Sequence, residues 1–215
     1  APQLHDKYAN NIASYDKLEI GDIDGDGKLE FFATPTDRNK AGGSQGGLMV
    51  MYQYDGSKFQ RSVVDPFGKT HAKEILAADI TGDNIAELFS VVEAEAIGKT
   101  IVKPVQIRQY TRDKEGGFQH NIIATLQDRQ TRFLVAGDFD QDGETELVAA
   151  AMKSGLWLLD PKKEGGFASV LIEKNSSGFE HTTYGADLDG DGKLELYVAA
   201  DEQGELNQYV WNGSS

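Results

Sequence analysis

Asp22-Ile23-Asp24-Gly25-Asp26-Gly27-Lys28-Leu29-Glu30 sets a carboxylate on every second residue of a glycine-bearing stretch, and the pattern returns three times. The other copies are Asp79-Ile80-Thr81-Gly82-Asp83-Asn84-Ile85-Ala86-Glu87, Asp138-Phe139-Asp140-Gln141-Asp142-Gly143-Glu144-Thr145-Glu146 and Asp187-Leu188-Asp189-Gly190-Asp191-Gly192-Lys193-Leu194-Glu195. Positions 1, 3, 5 and 9 of the four stretches supply fifteen carboxylates. Two such groups about 4 Å apart repel by roughly 1 to 4 kcal/mol, depending on the effective dielectric. Crowding of this kind makes sense around a cation. In a tight loop the side chains at positions 1, 3 and 5 point to one side, where oxygens at about 2.3 to 2.6 Å can surround a hard ion such as calcium.

The ligand set expected from this spacing is therefore Asp22, Asp24, Asp26 and Glu30; Asp79, Thr81, Asp83 and Glu87; Asp138, Asp140, Asp142 and Glu146; and Asp187, Asp189, Asp191 and Glu195. Position 7 adds a backbone carbonyl from Lys28, Ile85, Glu144 or Lys193. Position 6 is Gly27, Asn84, Gly143 or Gly192, residue types that tolerate the positive φ of a sharp turn. The second loop has Thr81 in place of an aspartate, so up to four structural calcium ions are expected, with the second site the weakest. Position 12 is Ala33, Ser90, Ala149 or Val198, so the bidentate glutamate of a helix-flanked calcium loop is missing. Apolar runs of strand type follow instead, for example Leu147-Val148-Ala149-Ala150-Ala151. The loops join strand to strand.

Net charge is −14 and no basic stripe is present, which excludes a nucleic-acid partner; divalent ions would offset much of the acidity. The chain has no cysteine, hence no disulfide and no thiol site. No apolar run is long enough for a membrane-spanning helix. Ala1-Pro2-Gln3 opens the chain without methionine, as a mature product would after signal removal, and weak calcium modules suit extracellular calcium. A secreted, extracellular or periplasmic setting is expected.

Successive first aspartates lie 57, 59 and 49 residues apart, close to the length of a four-stranded propeller blade. Each repeat reads as a first strand entering the loop (17–20, 74–77, 133–136, 182–185), a second leaving it, a third (48–54, 105–110, 156–159, 206–211) and, in the first three, a fourth opened by Phe59, Phe118 or Phe167. From each of these phenylalanines to the residue six before the next loop is 14 residues. The fourth repeat stops before its fourth strand, and the same count back from Asp16 reaches Pro2. One all-β domain over 1–215 is expected, with blades at about 14–66, 71–126, 130–175 and 179–215, the last completed by 1–8. The alternative is a four-blade part of a larger ring.

The four loops in this strand context resemble the FG-GAP (VCBS, integrin α-chain-like) calcium-loop β-propeller repeats. The resemblance covers nearly the whole chain; the Phe-Gly that opens the family's repeat is absent here, and its Gly-Ala-Pro is only echoed by Ala33-Thr34-Pro35. It implies that the calcium loops share one face. The opposite face would then gather the residues six before each loop, Asp16, Lys73, Arg132 and His181, as a candidate ligand site around one mouth, beneath two long connections, 34–47 and 93–103. A cationic pair beside a histidine can receive a carboxylate or sulfate of a sugar; solvated or mutually paired strand ends are the bland reading of the same residues. No Gly-x-Ser-x-Gly elbow and no His-Glu-x-x-His helix occurs, so no catalytic residue is nominated. Asn175-Ser176-Ser177 and Asn212-Gly213-Ser214 match the N-glycosylation pattern, which is common by chance.

The expected role is recognition of an extracellular ligand, glycan first and protein second. Two other classes fit the sequence. One is a lyase acting on acidic glycans, with His181 or Tyr184 as base beside Lys73 and Arg132. The other is an architectural segment of a larger adhesin or surface assembly.

Overall fold

The structure, a computed structural model, describes residues 12–37, 45–113 and 115–213, and these contain strands and turns but no helix. The first sheet orders β1 (Ile12–Gly21), β2 (Glu30–Asp37), β3 (Leu48–Tyr54) and β4 (Phe59–Pro66) in sequence. The second holds β5 (Ala72–Ala78), β6 (Glu87–Val92), β9 (Val105–Arg112) and β10 (Phe118–Leu126). A two-stranded ribbon, β7 (Glu95–Ile97) with β8 (Thr100–Lys103), interrupts that sheet between β6 and β9. The third comprises β11 (Thr131–Gly137), β12 (Glu146–Ala151), β13 (Leu156–Pro161) and β14 (Phe167–Glu173). The fourth has three strands, β15 (Thr182–Ala186), β16 (Glu195–Ala200) and β17 (Glu205–Tyr209). All neighbours within a sheet run antiparallel.

Every acidic loop joins the first strand of a sheet to the second, as the apolar runs on either side require. Side-chain alternation then sends each second strand two ways. Leu88 and Val92 of β6 face the first sheet, packing with Phe32, Met49 and Ile75, while Phe89 and Val91 face the third, packing with Leu134 and Leu147. In the same way Leu147 and Ala149 of β12 face the second sheet, and Val148 and Ala150 face the fourth, against Leu196 and Val198. Burying a Leu, Ile or Phe fully contributes about 1.5 to 3 kcal/mol, and Ile75, Phe89 and Leu147 are completely buried. Three apolar layers thus fasten four sheets in a row. β5 lies against β1 and β11, and β11 against β15.

The second residue of each of the first three loops serves this packing. Ile23, Ile80 and Phe139 insert into the layers between first and second, second and third, and third and fourth sheets. Phe139 sits so close to Gly185 that a Cβ there would lie 2.9 Å from its ring, which explains the glycine. Between the first two sheets the layer also holds a polar knot. The Tyr110 hydroxyl donates to Asp65 Oδ2 at 2.7 Å, Arg108 Nη1 donates to the same oxygen at 2.8 Å, and Ser90 Oγ lies 2.8 Å from the Tyr110 hydroxyl. Buried groups of this kind are tolerated because each finds a partner.

The strands expected at 48–54 and around Phe59, Phe118 and Phe167 are β3, β4, β10 and β14. The 93–103 connection is not a bare loop, because its alternating residues pair as the β7–β8 ribbon around Gly98. The closing strand expected from residues 1–8 lies outside the described residues. Among those described, no packing comparable to that between neighbouring sheets joins β15 back to β1.

Candidate metal loops and the opposite face

The loops share one construction. The first aspartate accepts backbone N–H bonds across its own turn: Asp22 from Gly25 and Gly27 at 2.8 and 2.9 Å, Asp79 from Gly82 and Asn84 at 2.7 and 2.8 Å, Asp187 from Gly190 and Gly192 at 2.7 and 2.9 Å. The aspartate at position 5 accepts from the amide of position 7, as Asp142 does from Glu144 at 2.8 Å. The closing glutamate turns back to the amide of position 2, so Glu30, Glu87, Glu146 and Glu195 hold Ile23, Ile80, Phe139 and Leu188. Position 4 needs a positive φ as well as position 6. Gln141 at position 4 (φ 62°) and Asn84 at position 6 (φ 67°) meet that demand without being glycine.

Three loops converge their acids. Asp138, Asp140, Asp142 and Glu146 each offer an oxygen within 4.8 Å of all the others, and so do Asp187, Asp189, Asp191 and Glu195. In the first loop Asp22, Asp24 and Glu30 converge. Asp26 is drawn off by Lys28, whose Nζ donates to it at 2.8 Å. Arg112 also reaches Asp24, and its guanidinium rests over Phe118. The second loop forms no such group among the described residues, and there Thr81 Oγ1 donates to Glu87 Oε1 at 3.1 Å, occupying an oxygen that would otherwise face an ion.

The donor set fits a hard divalent cation. Asp138 Oδ1 and Glu146 Oε1 are buried without a hydrogen-bond partner, a costly state for carboxylate oxygens that a bound ion would relieve. Burial pushes the Glu146 carboxyl up to about 7 and raises that of Glu30. Each of these acids sits where loop and core meet. Several acidic clusters can therefore hold a metal ion, in the arrangement that the spacing of positions 1, 3 and 9 requires.

On the opposite edge, three of the residues six before each loop share a feature that the sequence does not signal. The β1–β2, β5–β6 and β11–β12 ladders each shift register at this point, so Asp16 with Lys17, Lys73 and Arg132 sit in bulges. A bulge re-aims its extra side chain away from the regular alternation. Lys73 Nζ donates to Asp16 Oδ1 at 2.6 Å across the first two sheets. Arg132 lies 3.7 Å above the ring of Phe179 and 3.4 Å from Glu180. Beside them stand two buried groups that sequence reasoning left out. His71 Nε2 lies 3.3 Å from Glu93 Oε2, and Gln130 Nε2 donates to the same glutamate oxygen at 3.1 Å. Burial raises the Glu93 carboxyl to about 7, against the pull of Lys73 and Arg132, and burial with the nearby Lys73 lowers His71. Both are held toward their neutral forms. Glu93 follows the end of β6 and stands at the same distance from its loop as Thr36, Met152 and Asp201 from theirs, a signal too faint to find it from sequence.

His181 does not join this group. The fourth sheet has no bulge at its edge, and the ring is 1% exposed with Nε2 2.7 Å from Ser176 Oγ and Nδ1 2.7 Å from the Ala151 carbonyl. It ties the end of the third sheet to the start of the fourth, and no ring nitrogen is left for a substrate. Tyr184, the other base considered for a lyase, stands 70% exposed on the far side of the fourth sheet.

The sequence profile of the FG-GAP-like repeat matches residues 138–198, which span the third and fourth acidic loops. No curated protein matches the chain. The repeat points to a β-propeller-type recognition module, and repeats of this type often bind calcium. No helix among the described residues is long and apolar enough to cross a membrane.

Proposed function

We propose that this chain is a calcium-stabilised recognition module of β-propeller type, secreted or otherwise extracellular, whose acidic loops are structural and whose opposite face binds a ligand, a glycan before a protein. The observation that carries the reading is the convergence of acids in three loops of one construction, two of which also plug an apolar layer through Ile23 and Phe139. Calcium in the first and third loops would fix Ile23 and Phe139, and so fix sheet to sheet. Its ligands are Asp138, Asp140, Asp142 and Glu146, with the equivalent residues of the other loops; calcium supplies charge neutralisation there and no chemistry is asked of it.

The ligand face is the bulged edge. Lys73 and Arg132 give cationic donors, Phe179 gives a half-exposed ring, and the β7–β8 ribbon raises one side of the rim. Aromatic faces and fork-shaped donors are what a sugar with acidic substituents needs. A glycan array probed with calcium and again with chelator tests this. Binding that appears with calcium and is lost in Lys73→Glu and Arg132→Glu supports the reading. A folded, calcium-loaded protein that binds no glycan on a broad array overturns the glycan assignment.

A further inference from the structure

Beneath the cations of the bulged edge lies a polar floor with unmet hydrogen-bonding groups. Glu93 and His71 are 5% and 8% exposed. His71 Nδ1 lies 3.3 Å from the Gln45 carbonyl, which can only accept, so that nitrogen carries a hydrogen and Nε2 is left bare. Nε2 then faces Glu93 Oε2 at 3.3 Å. Two lone pairs this close repel unless one proton lies between them, and the same proton gives the buried Nε2 the partner it otherwise lacks. Whether that proton rests on oxygen or on nitrogen, the pair has no net charge. Around it stand Asp16 of β1, Lys73 of β5 and Arg132 of β11, each of which bears on the ionisation of both members. Gln130 adds a neutral donor, and Lys17 is taken up by Glu74. Glu180, 65% exposed, meets Arg132 in solvent, where an ion pair contributes little. Lys73 and Arg132 against Asp16 thus leave one positive charge. Asp16 Oδ2, Glu93 Oε1, Thr131 Oγ1 and Arg132 Nε are buried here without a hydrogen-bond partner, a state that calls for a bound group.

We propose that His71 and Glu93 hold one shared proton that sets the charge of this face, and that the face thereby selects a sugar bearing a single carboxylate, a hexuronate. The inference rests on the glycan reading above and names the class of sugar. Lys73 and Arg132, with side chains 21% and 22% exposed, are the members of the cluster that an incoming anion meets. Arg132 turns Nη1 toward Glu180 and leaves Nε without a partner, and the Nε edge of a guanidinium is a fork that takes both oxygens of a carboxylate. A ring hydroxyl of the sugar supplies the donor that Asp16 Oδ2 lacks. An uncharged sugar leaves the surplus positive charge unmatched, and a sugar with several sulfates brings more negative charge than the face carries. Once the pair loses its proton the surplus is cancelled, and the hold on a carboxylate weakens. Burial pushes the Glu93 carboxyl up to about 7, which puts that loss in the neutral range.

Calorimetric titration of the full chain in calcium with an oligosaccharide of glucuronate is the test, run from about pH 6 to about pH 8.5, where the sugar's own carboxyl stays ionised. Affinity should fall about tenfold across that range. At about pH 7.5, titrations in two buffers of different ionisation enthalpy should show a proton taken up on binding. Glu93→Gln keeps the shape of the pair and fixes it neutral, so circular dichroism should be unchanged and the fall with pH should vanish, with the affinity at about pH 6 within about threefold of the native value. The carboxyl-reduced oligosaccharide should bind about tenfold more weakly at about pH 6 and take up no proton. An affinity of the native chain that does not change with pH, a fall that survives in Glu93→Gln, or tighter binding of the neutral or a sulfated oligosaccharide would each overturn the inference. Any of these outcomes still shows a bound glycan and leaves the recognition reading standing. A folded, calcium-loaded chain that binds no glycan removes both.

Discussion

At the residue scale, the difference between a loop built for an ion and one that falls short comes down to single side chains. Thr81 replaces an acid and then spends its hydroxyl on Glu87, and Lys28 and Arg112 compete for acids of the first loop. Calorimetric titration should give tight binding at the third and fourth loops, weaker binding at the first, and none at the second. Thr81→Asp should add one calcium to the count, and an unchanged count would contradict the role given to this threonine. His181 carries a prediction of another kind. Its removal takes a hydrogen-bond partner from the buried Ser176 hydroxyl and from the Ala151 carbonyl and leaves a cavity, so His181→Ala should lower the unfolding free energy by about 2 to 3 kcal/mol in urea titration. It should leave ligand binding by the folded protein intact. A loss of binding at full stability would restore His181 to the ligand face.

At the scale of elements, neighbouring inner strands are joined by charge as well as by apolar packing. Lys17 Nζ lies 2.7 Å from Glu74 Oε1 across β1 and β5, and Glu74 is 3% exposed. Burial pushes its carboxyl up from 4.5 to about 7 in spite of that lysine. A native carboxyl that holds its proton more tightly than the unfolded one stabilises the fold below its unfolded pKa, and that contribution is lost as pH rises through the folded value. Stability should therefore fall between about pH 4.5 and pH 7 from this group. Thermal melts across that window should decline less steeply for Glu74→Gln than for the native chain. Equal slopes would mean that Glu74 does not titrate in that range.

The loops, the strands on either side and the face on which acids converge were legible in the sequence because each rests on a period: two for the strands, and two again for the ligands. Lys73 and Arg132 were found by counting back from the loops, but the bulges that aim them are backbone events with no residue signature. His181 shares their count and not their environment, since β15 starts one residue after it and the ring folds inward. Glu93 and His71 lie where strand ends meet across sheets, and pairing between sheets leaves no trace in one sequence. The β7–β8 ribbon was hidden by its few residues and by the exposure of Ile97 and Val102.

At the scale of the whole molecule, four sheets with three shared apolar layers are held at one edge by loops that carry an excess of negative charge. Without a cation that edge repels itself, and the acids buried there sit at their neutral forms or at a cost. Calcium at a hundredfold excess over its dissociation constant would add about 2.7 kcal/mol per site, and for a chain of this size each kcal/mol raises the melting temperature by about 2 to 4 °C. Calorimetric melting of the full chain in calcium and in excess chelator is the most direct measurement of this account. A melting temperature higher by about 10 °C or more in calcium is the predicted result. Superimposable melts would contradict it.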